Sequence, residues 1–515
     1  MDLPTRLVHI PRDDPSQLRL CLTRGMQGLY VALSYSWGNG KTLKTTVDSI
    51  NRLRSGFRTA DLPKTLQHAV AIVHKMDFEW IWIDQLCILQ GSIDDWSLES
   101  SRMAEIYSKS AFTICADASS STEDGIFHNS SSITGDGLFY TRPVLQSHLF
   151  GPDFAMCLQT TCLPWKDMIE HPLYSRGWAF QERILSARNL HFLGSQIAWE
   201  CNTTLYLEQD RGRHSTQIDH FAKHTFTNFY HQQGNIDPNP TESDIIDKIG
   251  AWNKVLQEMA VRRLTHETDK LPSISGLASA LEAPGMGEYL AGVWASNPFL
   301  SMAWFTRFAQ RQPEDYLSPS WSCRWTSGQI VWYYDTWRRS DRISAESLSE
   351  WVLWNSRYGP RFEHHNIIPM NEDRKGRVQE GSSLTMVGHC RSIYVASLPD
   401  SDFDHNVWDV IGAIGKWNEP GHRVCMDERL GSCGDVCSFT ADLSGVDQQY
   451  DRENVREYLC VQIVRERKER EKNPKIIGLV LERVKDSDEE AFRRVGLTDF
   501  DVADGVWVRK TLKLL

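Results

Sequence analysis

Residues 29–41 read LYVALSYSWGNGK. The mostly apolar run from Leu29 to Tyr35 gives way to a polar, glycine-bearing turn. That is the profile of a short buried strand with a loop at its carboxyl end. Two later runs repeat it: EWIWID, Glu79 to Asp84, and AFTICAD, Ala111 to Asp117, each ending on an acid. Between the first two runs, Asp61 and Pro63 open a helix whose apolar stripe is Leu66, Val70 and Val73. Between the second and third, Asp94, Asp95 and Trp96 start another, with carboxylates where the helix dipole favours them. Met103, Ile106, Tyr107 and Ser110 continue one face of it. Strand, helix, strand, helix, strand predicts an α/β domain with a parallel sheet. Right-handed crossovers gather the carboxyl ends of its strands on one rim. The stretches SYSWGNG and DQLCILQG are expected to share that rim.

Further on, residues 172–192 read PLYSRGWAFQERILSARNLHF. Arg176, Trp178, Gln181 and Glu182 fall within about two helical turns. Trp178 and Glu182, four apart, share a helical face. NLHFL and QIAWEC predict two more strands, up to Cys201. Ser119 to Asp136, rich in Ser, Gly and Asp, reads as a loop or insertion, and a domain boundary is expected between Cys201 and Ser243. This gives a first domain to about residue 205, with its core at 29–184 and an insertion at 119–160. A mixed α+β region follows over 206–515. In that region LPSISGLASAL is helix-like, and SLTMVGHCRSIYVASL, EYLCVQIVRER and KIIGLVLERV read as strands. ERKEREKNPK reads as a solvated hairpin tip and His364–His365 as an exposed loop pair.

The composition bounds the function. Of 515 residues, 41% are hydrophobic and 24% charged, enough apolar material for a sizeable core. A net charge of −11 argues against a nucleic-acid-binding protein. The amino-terminal MDLPTRLVHIPRDDPSQ lacks the layout of a signal peptide, and no apolar run reaches about 18 residues, so a cytoplasmic protein without a membrane span is expected. The 12 cysteines are then expected to be reduced. His422, Cys425, Cys433 and Cys437 lack paired Cys-x-x-Cys knuckles, and no metal is expected. SWGNGK lacks P-loop spacing, which argues against ATP hydrolysis.

Taken in order, LYVALSYSWGNG, DLPKTLQHAV, EWIWIDQLCILQ, DDWSLESSRMAEIYSKSAFTICA and SRGWAFQER resemble the heterokaryon incompatibility (HET) domain over about Leu29 to Ile184. That is a fungal self/non-self recognition domain whose action triggers programmed cell death, a form of innate immunity. PSISGLA, YLAGVW, PSWSCRW and FRRVGLTDF resemble its usual companion region, which implies no function of its own. The HET domain is in turn distantly similar to the Toll/interleukin-1 receptor (TIR) domain, several members of which hydrolyse NAD with a glutamate. The TIR signature there is Trp-Cys, two residues, then Glu. Trp178 and Glu182 keep that spacing, with Ala179 in place of the cysteine.

The resemblance implies an NAD glycohydrolase with NAD as substrate, no metal, self-association for activity and an unknown activating protein. It implies Glu182 as the catalytic carboxylate. Ser34, Tyr35, Trp37 and Gly38 would hold the dinucleotide, Gly38 by allowing close backbone approach. Asp84 and Cys87 would line the second loop. Arg176 would pair with a phosphate or with Glu182, Trp178 would stack, and Gln181 would lie beside them. The same residues also admit plainer readings. Glu182 is then a solvent-facing acid or the structural partner of Arg176, Trp178 a core aromatic, Asp84 a turn cap and Cys87 a buried small hydrophobe. The domain as a whole would then be a non-enzymatic interaction module.

Overall fold

The computed structural model describes residues 1–38, 43–127, 144–146, 155–157, 170–194, 196–208, 223, 240–306, 310–311, 316–323, 330–332, 359–395, 423–425, 436–441, 443–444, 456–466, 475–484, 490–501 and 507–515. The chain divides into two compact units. One comprises Met1–His231 with Arg262–Thr265, the other Gln232–Val261 with His266–Leu515.

In the first unit the chain runs through β1 (Arg6–His9), β2 (Gln17–Leu22), β3 (Val31–Ser34), α1 (Ile50–Ser55), β4 (Phe57–Arg58), α2 (Lys64–Lys75) and β5 (Trp80–Trp82). It continues through α3 (Asp84–Cys87), α4 (Ile93–Ser108) and β6 (Thr113–Cys115). A small antiparallel pair, β7 (Val144–Gln146) and β8 (Ala155–Cys157), comes next. Then follow α5 (Gly177–Leu185), β9 (Arg188–Phe192), β10 (Ile197–Cys201) and β11 (Leu205–Leu207).

Apart from β7 and β8, the described strands of this unit form one sheet in the order β11-β10-β9-β6-β3-β5-β1-β2-β4. Its centre, β9-β6-β3-β5, is parallel. The sheet as a whole is mixed, because β1, β2 and β4 on one side and β10 and β11 on the other run antiparallel. The expectation of a parallel sheet therefore holds for the core and is corrected at both flanks. The missed strands β1 and β2 are short. Yet QLRLCL does alternate exposed and buried positions over its first four residues, the period-two signal of a half-covered strand.

Burial explains why the predicted helices form. α2 has no side-chain cap, with Pro63 at its N-cap position, but it buries Leu66, Ala69, Val70 and Val73 against the sheet. Each buried Leu or Val contributes about 1.5–3 kcal/mol, more than the ~1 kcal/mol typical of a cap. α4 is capped by Ser92, whose hydroxyl accepts from the Asp95 N–H at 3.2 Å. The Asp95 carboxylate does more than face the helix dipole. It takes Arg6 from β1 at 2.5 Å and the Leu89 N–H at 2.7 Å, tying an interior strand of the sheet to this helix.

Among the parallel strands the chain order is β3, β5, β6, β9 and the spatial order is β9-β6-β3-β5. The connection after β3 moves to one side, and the connection after β6 moves to the other. Strands β3 and β6 thus flank a topological switch point, where a doubly wound sheet opens a crevice at its carboxyl edge. Helices α4 and α5 pack on each other, and α5 lies against β3 and β6.

The second unit opens with helices Glu242–Ala260 and Pro272–Leu281. GEYLAGVW folds as a tight hairpin, Tyr289–Leu290 against Val293–Trp294. Trp252, Trp294, Trp304, Trp321 and Trp332 are fully buried in this unit. Three of them donate their indole N–H to backbone carbonyls: Trp252 to Gly292 at 2.8 Å, Trp321 to Leu290 at 3.1 Å and Trp332 to Ser301 at 3.1 Å. The later strands close on themselves. Ser383–Val395 pairs with Val508–Leu514 through its first half and with Arg456–Glu466 through its second. Lys475–Arg483 and Ala491–Asp501 continue from Arg456–Glu466, and Ala491–Asp501 returns to Val508–Leu514. The ERKEREKNPK tip lies largely outside the described residues. His364 and His365 belong to the strand Arg361–Asn366 rather than to a loop, and His365 Nε2 sits 2.9 Å from Glu288 Oε2. Among the described residues no helix is long and apolar enough to cross a membrane.

Candidate active site

Ser34 ends β3, and Asp84 follows β5, both on the carboxyl edge of the parallel core. Across the switch point Ser34 stands in register with Cys115 of β6, and Cys115 with His191 of β9. In register on adjacent parallel strands, these three residues share one face of the sheet.

Glu182 projects from α5 onto this row, and the Ser34 hydroxyl donates a short hydrogen bond to its Oε2. The Tyr107 hydroxyl, which donates to the Leu33 carbonyl at 3.1 Å, lies beside the same carboxylate. Glu182 is only 7% exposed. Burial pushes its acid up to about 7, against the opposing pull of the Ser34 hydrogen bond; the negative charge of Asp84 raises it further, and Arg176 and Tyr107 lower it. Among the described residues no arginine lies within ion-pairing distance of this carboxylate. Arg176 acts on it as a charge through space.

Asp84 is the second carboxylate. Tyr35 Oη donates to its Oδ1 at 2.8 Å, Trp37 Nε1 to its Oδ2 at 2.9 Å, and the Gln85 N–H to Oδ1 at 2.6 Å. Burial nonetheless raises its pKa, although these donors and Arg176 favour the ionised form. Asp84 thus does more than cap its turn: it pulls Tyr35 and Trp37, both from the loop after β3, onto the loop after β5. Lys44 Nζ sits over the Trp37 ring at 4.9 Å.

The other candidates lie as follows. Trp178 is half-buried and packs against the main core, and Gln181 is buried in α5. Cys87 is fully buried, accepts from the Ile83 N–H at 3.5 Å, and has its thiol pushed up to about 12 by burial. It packs in the core, three positions along α3 from Asp84. Gly38 has φ +68, and a Cβ there would run into Ser121. Its close approach is to the chain's own 119–125 turn. Gly38→Ala is therefore expected to destabilise the unit by on the order of 1–3 kcal/mol, read as a lower denaturant midpoint.

The amino terminus of α5 is clamped from far along the chain. The Gly177 N–H donates to the Arg263 carbonyl at 2.8 Å and the Arg263 N–H to the Ser175 carbonyl at 2.6 Å. The Arg262 guanidinium lies 4.1 Å from the Tyr174 ring centroid and 4.2 Å from that of Phe180. Beyond Glu182, α5 is held by a buried charge network that the sequence did not flag. Arg183 grips Glu200 through two bonds, 3.0 and 2.6 Å. Asn189 and His191 also reach Glu200 Oε2, at 2.9 and 3.3 Å, and Lys223 Nζ stands 3.6 Å from it. His191 Nδ1 meets Asp117 Oδ2 at 3.0 Å. The available signal was Glu200 itself, a carboxylate inside the apolar strand QIAWEC, since such a residue is seldom buried without partners. Among the described residues no group of three or more His, Cys, Asp or Glu is arranged to hold a metal, and His422 and Cys433 lie outside them.

A doubly wound α/β core with a buried carboxylate at its switch point defines the class of domain. Residues 30–182 match the family model described as heterokaryon incompatibility protein (HET). The chain thus carries a heterokaryon incompatibility domain, and the match supports a role related to heterokaryon incompatibility. No curated protein and no solved structure matched the chain.

Proposed function

We propose that this domain is an effector of fungal self/non-self recognition that brings about cell death by hydrolysing NAD to nicotinamide and ADP-ribose, with Glu182 as its carboxylate. The observation that carries this reading is the seat of Glu182. It sits on Ser34 at the switch point of a doubly wound sheet, where such folds bind nucleotides. Cleavage of the ribose–nicotinamide bond builds positive charge on the sugar, and a carboxylate fixed beside it stabilises that charge. Nicotinamide leaves a cationic ring as a neutral molecule, so no strong general acid is needed. In this reading Asp84, held by Tyr35 and Trp37, keeps the aromatic side chains of the β3 loop in place, and Arg176 supplies a positive charge for a phosphate. Clustering of several copies, triggered by another protein, would switch the activity on.

The test is nicotinamide release from NAD by the concentrated purified protein, beside a folded Glu182→Ala variant. Release by the parent alone supports the reading; release by neither, even with forced clustering, removes it. If the ionised carboxylate is the working form, the parent's rate rises with pH through about 7. Ser34→Ala removes a hydrogen bond that favours the ionised form and is expected to move that midpoint upward.

A second reading, an interaction module without catalysis, draws on one observation. Ser34, Tyr35 and Glu182 are all buried, so the carboxylate is enclosed.

A further inference from the structure

Residues 119–127 leave β6 and cross to the start of α2, although the sequence profile reads as a loose loop. Thr122 N–H and Oγ1 both point to the Trp37 carbonyl, at 3.3 and 3.4 Å. The Thr122 carbonyl accepts the Thr65 N–H at 2.8 Å, satisfying a donor in the first turn of α2 that has no partner within the helix. Thr65 Oγ1 bonds the Ser121 carbonyl and the Gly125 N–H, each at 3.1 Å. Asp124 holds Ser120 and Ser121 from within the turn. Ile126 is buried in the core, and the Phe127 ring lies 4.7 Å from the ring of His68 and 5.9 Å from that of Phe192.

The end of this segment is fastened by one acceptor. The backbone N–H groups of Ile126 and Phe127 converge on His68 Nδ1, at 3.0 and 3.3 Å. A backbone N–H can only donate, so Nδ1 must carry a lone pair and His68 must be neutral. A Cβ on Gly125 would lie 2.9 Å from His68 Cε1 and 3.0 Å from Lys64 Cε, which shows how closely the turn is seated. Among the described residues, the charged groups on α2 and on the segment nearest His68 are Lys64, one turn earlier on α2, and Glu123 and Asp124, and His68 has a further partner besides the two amides. From β9 the contact is the apolar Phe192. His68 is half-buried, so protons reach it.

We propose that residues 119–127 are a strap over the Trp37–Gly38 turn, latched by neutral His68, and that acidification releases it. A proton on Nδ1 replaces the acceptor with a donor facing two donors, and both bonds are lost. The strap's hold on Trp37 is then weakened, and with it the Trp37–Asp84 side of the enclosed carboxylate group. The inference rests on the latch geometry and stands whether or not NAD is the substrate.

Hydrogen exchange of the full chain, read by mass spectrometry and divided by the intrinsic rate at each pH, tests it. The amides of residues 121–127 are expected to exchange roughly ten-fold faster or more at about pH 5.5 than at about pH 7.5, while Ile72 to Lys75 at the far end of α2 hold. In His68→Asn the side-chain oxygen takes the place of Nδ1 as an acceptor that does not titrate in this range, so protection is expected to persist at both pH values. Equal protection of the parent at the two pH values, or the same loss in His68→Asn, overturns the proposal.

Discussion

Under the proposed activity, Glu182→Gln is expected to abolish nicotinamide release, by on the order of 10³-fold or more, and at the same time to make the first unit more stable at alkaline pH. The sign follows from linkage. The carboxyl stands near 4.5 in its ordinary setting and about 7 here. A raised acid favours the folded state most below its ordinary value, and that contribution is lost as pH rises through about 7. At about pH 8 the native protein therefore carries an ionised carboxylate in a site that disfavours it, at a cost on the order of 3 kcal/mol. Glutamine preserves the shape and stays neutral. The variant should unfold at higher denaturant than the parent at about pH 8, and at nearly the same denaturant at about pH 5. A carboxylate kept in place against stability is the signature of a residue retained for function. Equal midpoints at both pH values would instead show that the site does not disfavour the ionised carboxylate.

Glu200→Ala is expected to cost about 3–5 kcal/mol of stability. This carboxylate receives Arg183, Asn189 and His191, with Lys223 close by, and Arg183 and Lys223 hold its acid well below the usual glutamate range despite the burial that opposes them. Its removal takes from Arg183 and Lys223 the carboxylate that both face inside the core. His191 keeps Asp117 as a partner, and that charge holds its imidazolium well above the usual range against desolvation. The two pKa shifts set the pH window. The contribution of Glu200 is present above the ordinary glutamate value and disappears as pH falls through its lowered one. That of His191 is present below about 6.5 and disappears as pH rises through its raised one. Denaturation curves of parent and variant at neutral pH read the difference directly. A loss under about 1 kcal/mol would show that the network merely balances its own desolvation.

The parallel core was legible because each strand is an apolar run long enough to stand out and each following helix has a clear stripe. Thr113–Cys115 and Val31–Ser34 lie inside the predicted runs, and α2 begins one residue after Pro63. Of the antiparallel flanks, β10 was legible in QIAWEC, while β1, β2, β4 and β11 were not, since two to six residues of strand carry little periodicity. In the site, helical spacing alone put Trp178 and Glu182 on one face of α5. That Ser34 would bond Glu182, or that Asp84 would gather Tyr35 and Trp37, depends on loops converging from separate strands, and local pattern contains nothing of that. The strap was hidden for a related reason. Ser, Thr and Asp side chains satisfy backbone groups as readily in a docked turn as in a solvated one, so composition does not separate the two.

The clamp on α5 has a practical reach. The family match stops at Glu182, and a natural place to cut the gene for expression is shortly after the last strand of the sheet, near residue 207. A fragment ending there lacks Arg262 and Arg263, and with them the backbone pairing at Ser175 and Gly177 and the cation seated between Tyr174 and Phe180. The loosened end would be that of the helix bearing Glu182. Silence from such a truncated piece would report a frayed helix rather than an inert carboxylate, and a minimal domain has to retain the chain at least through Thr265.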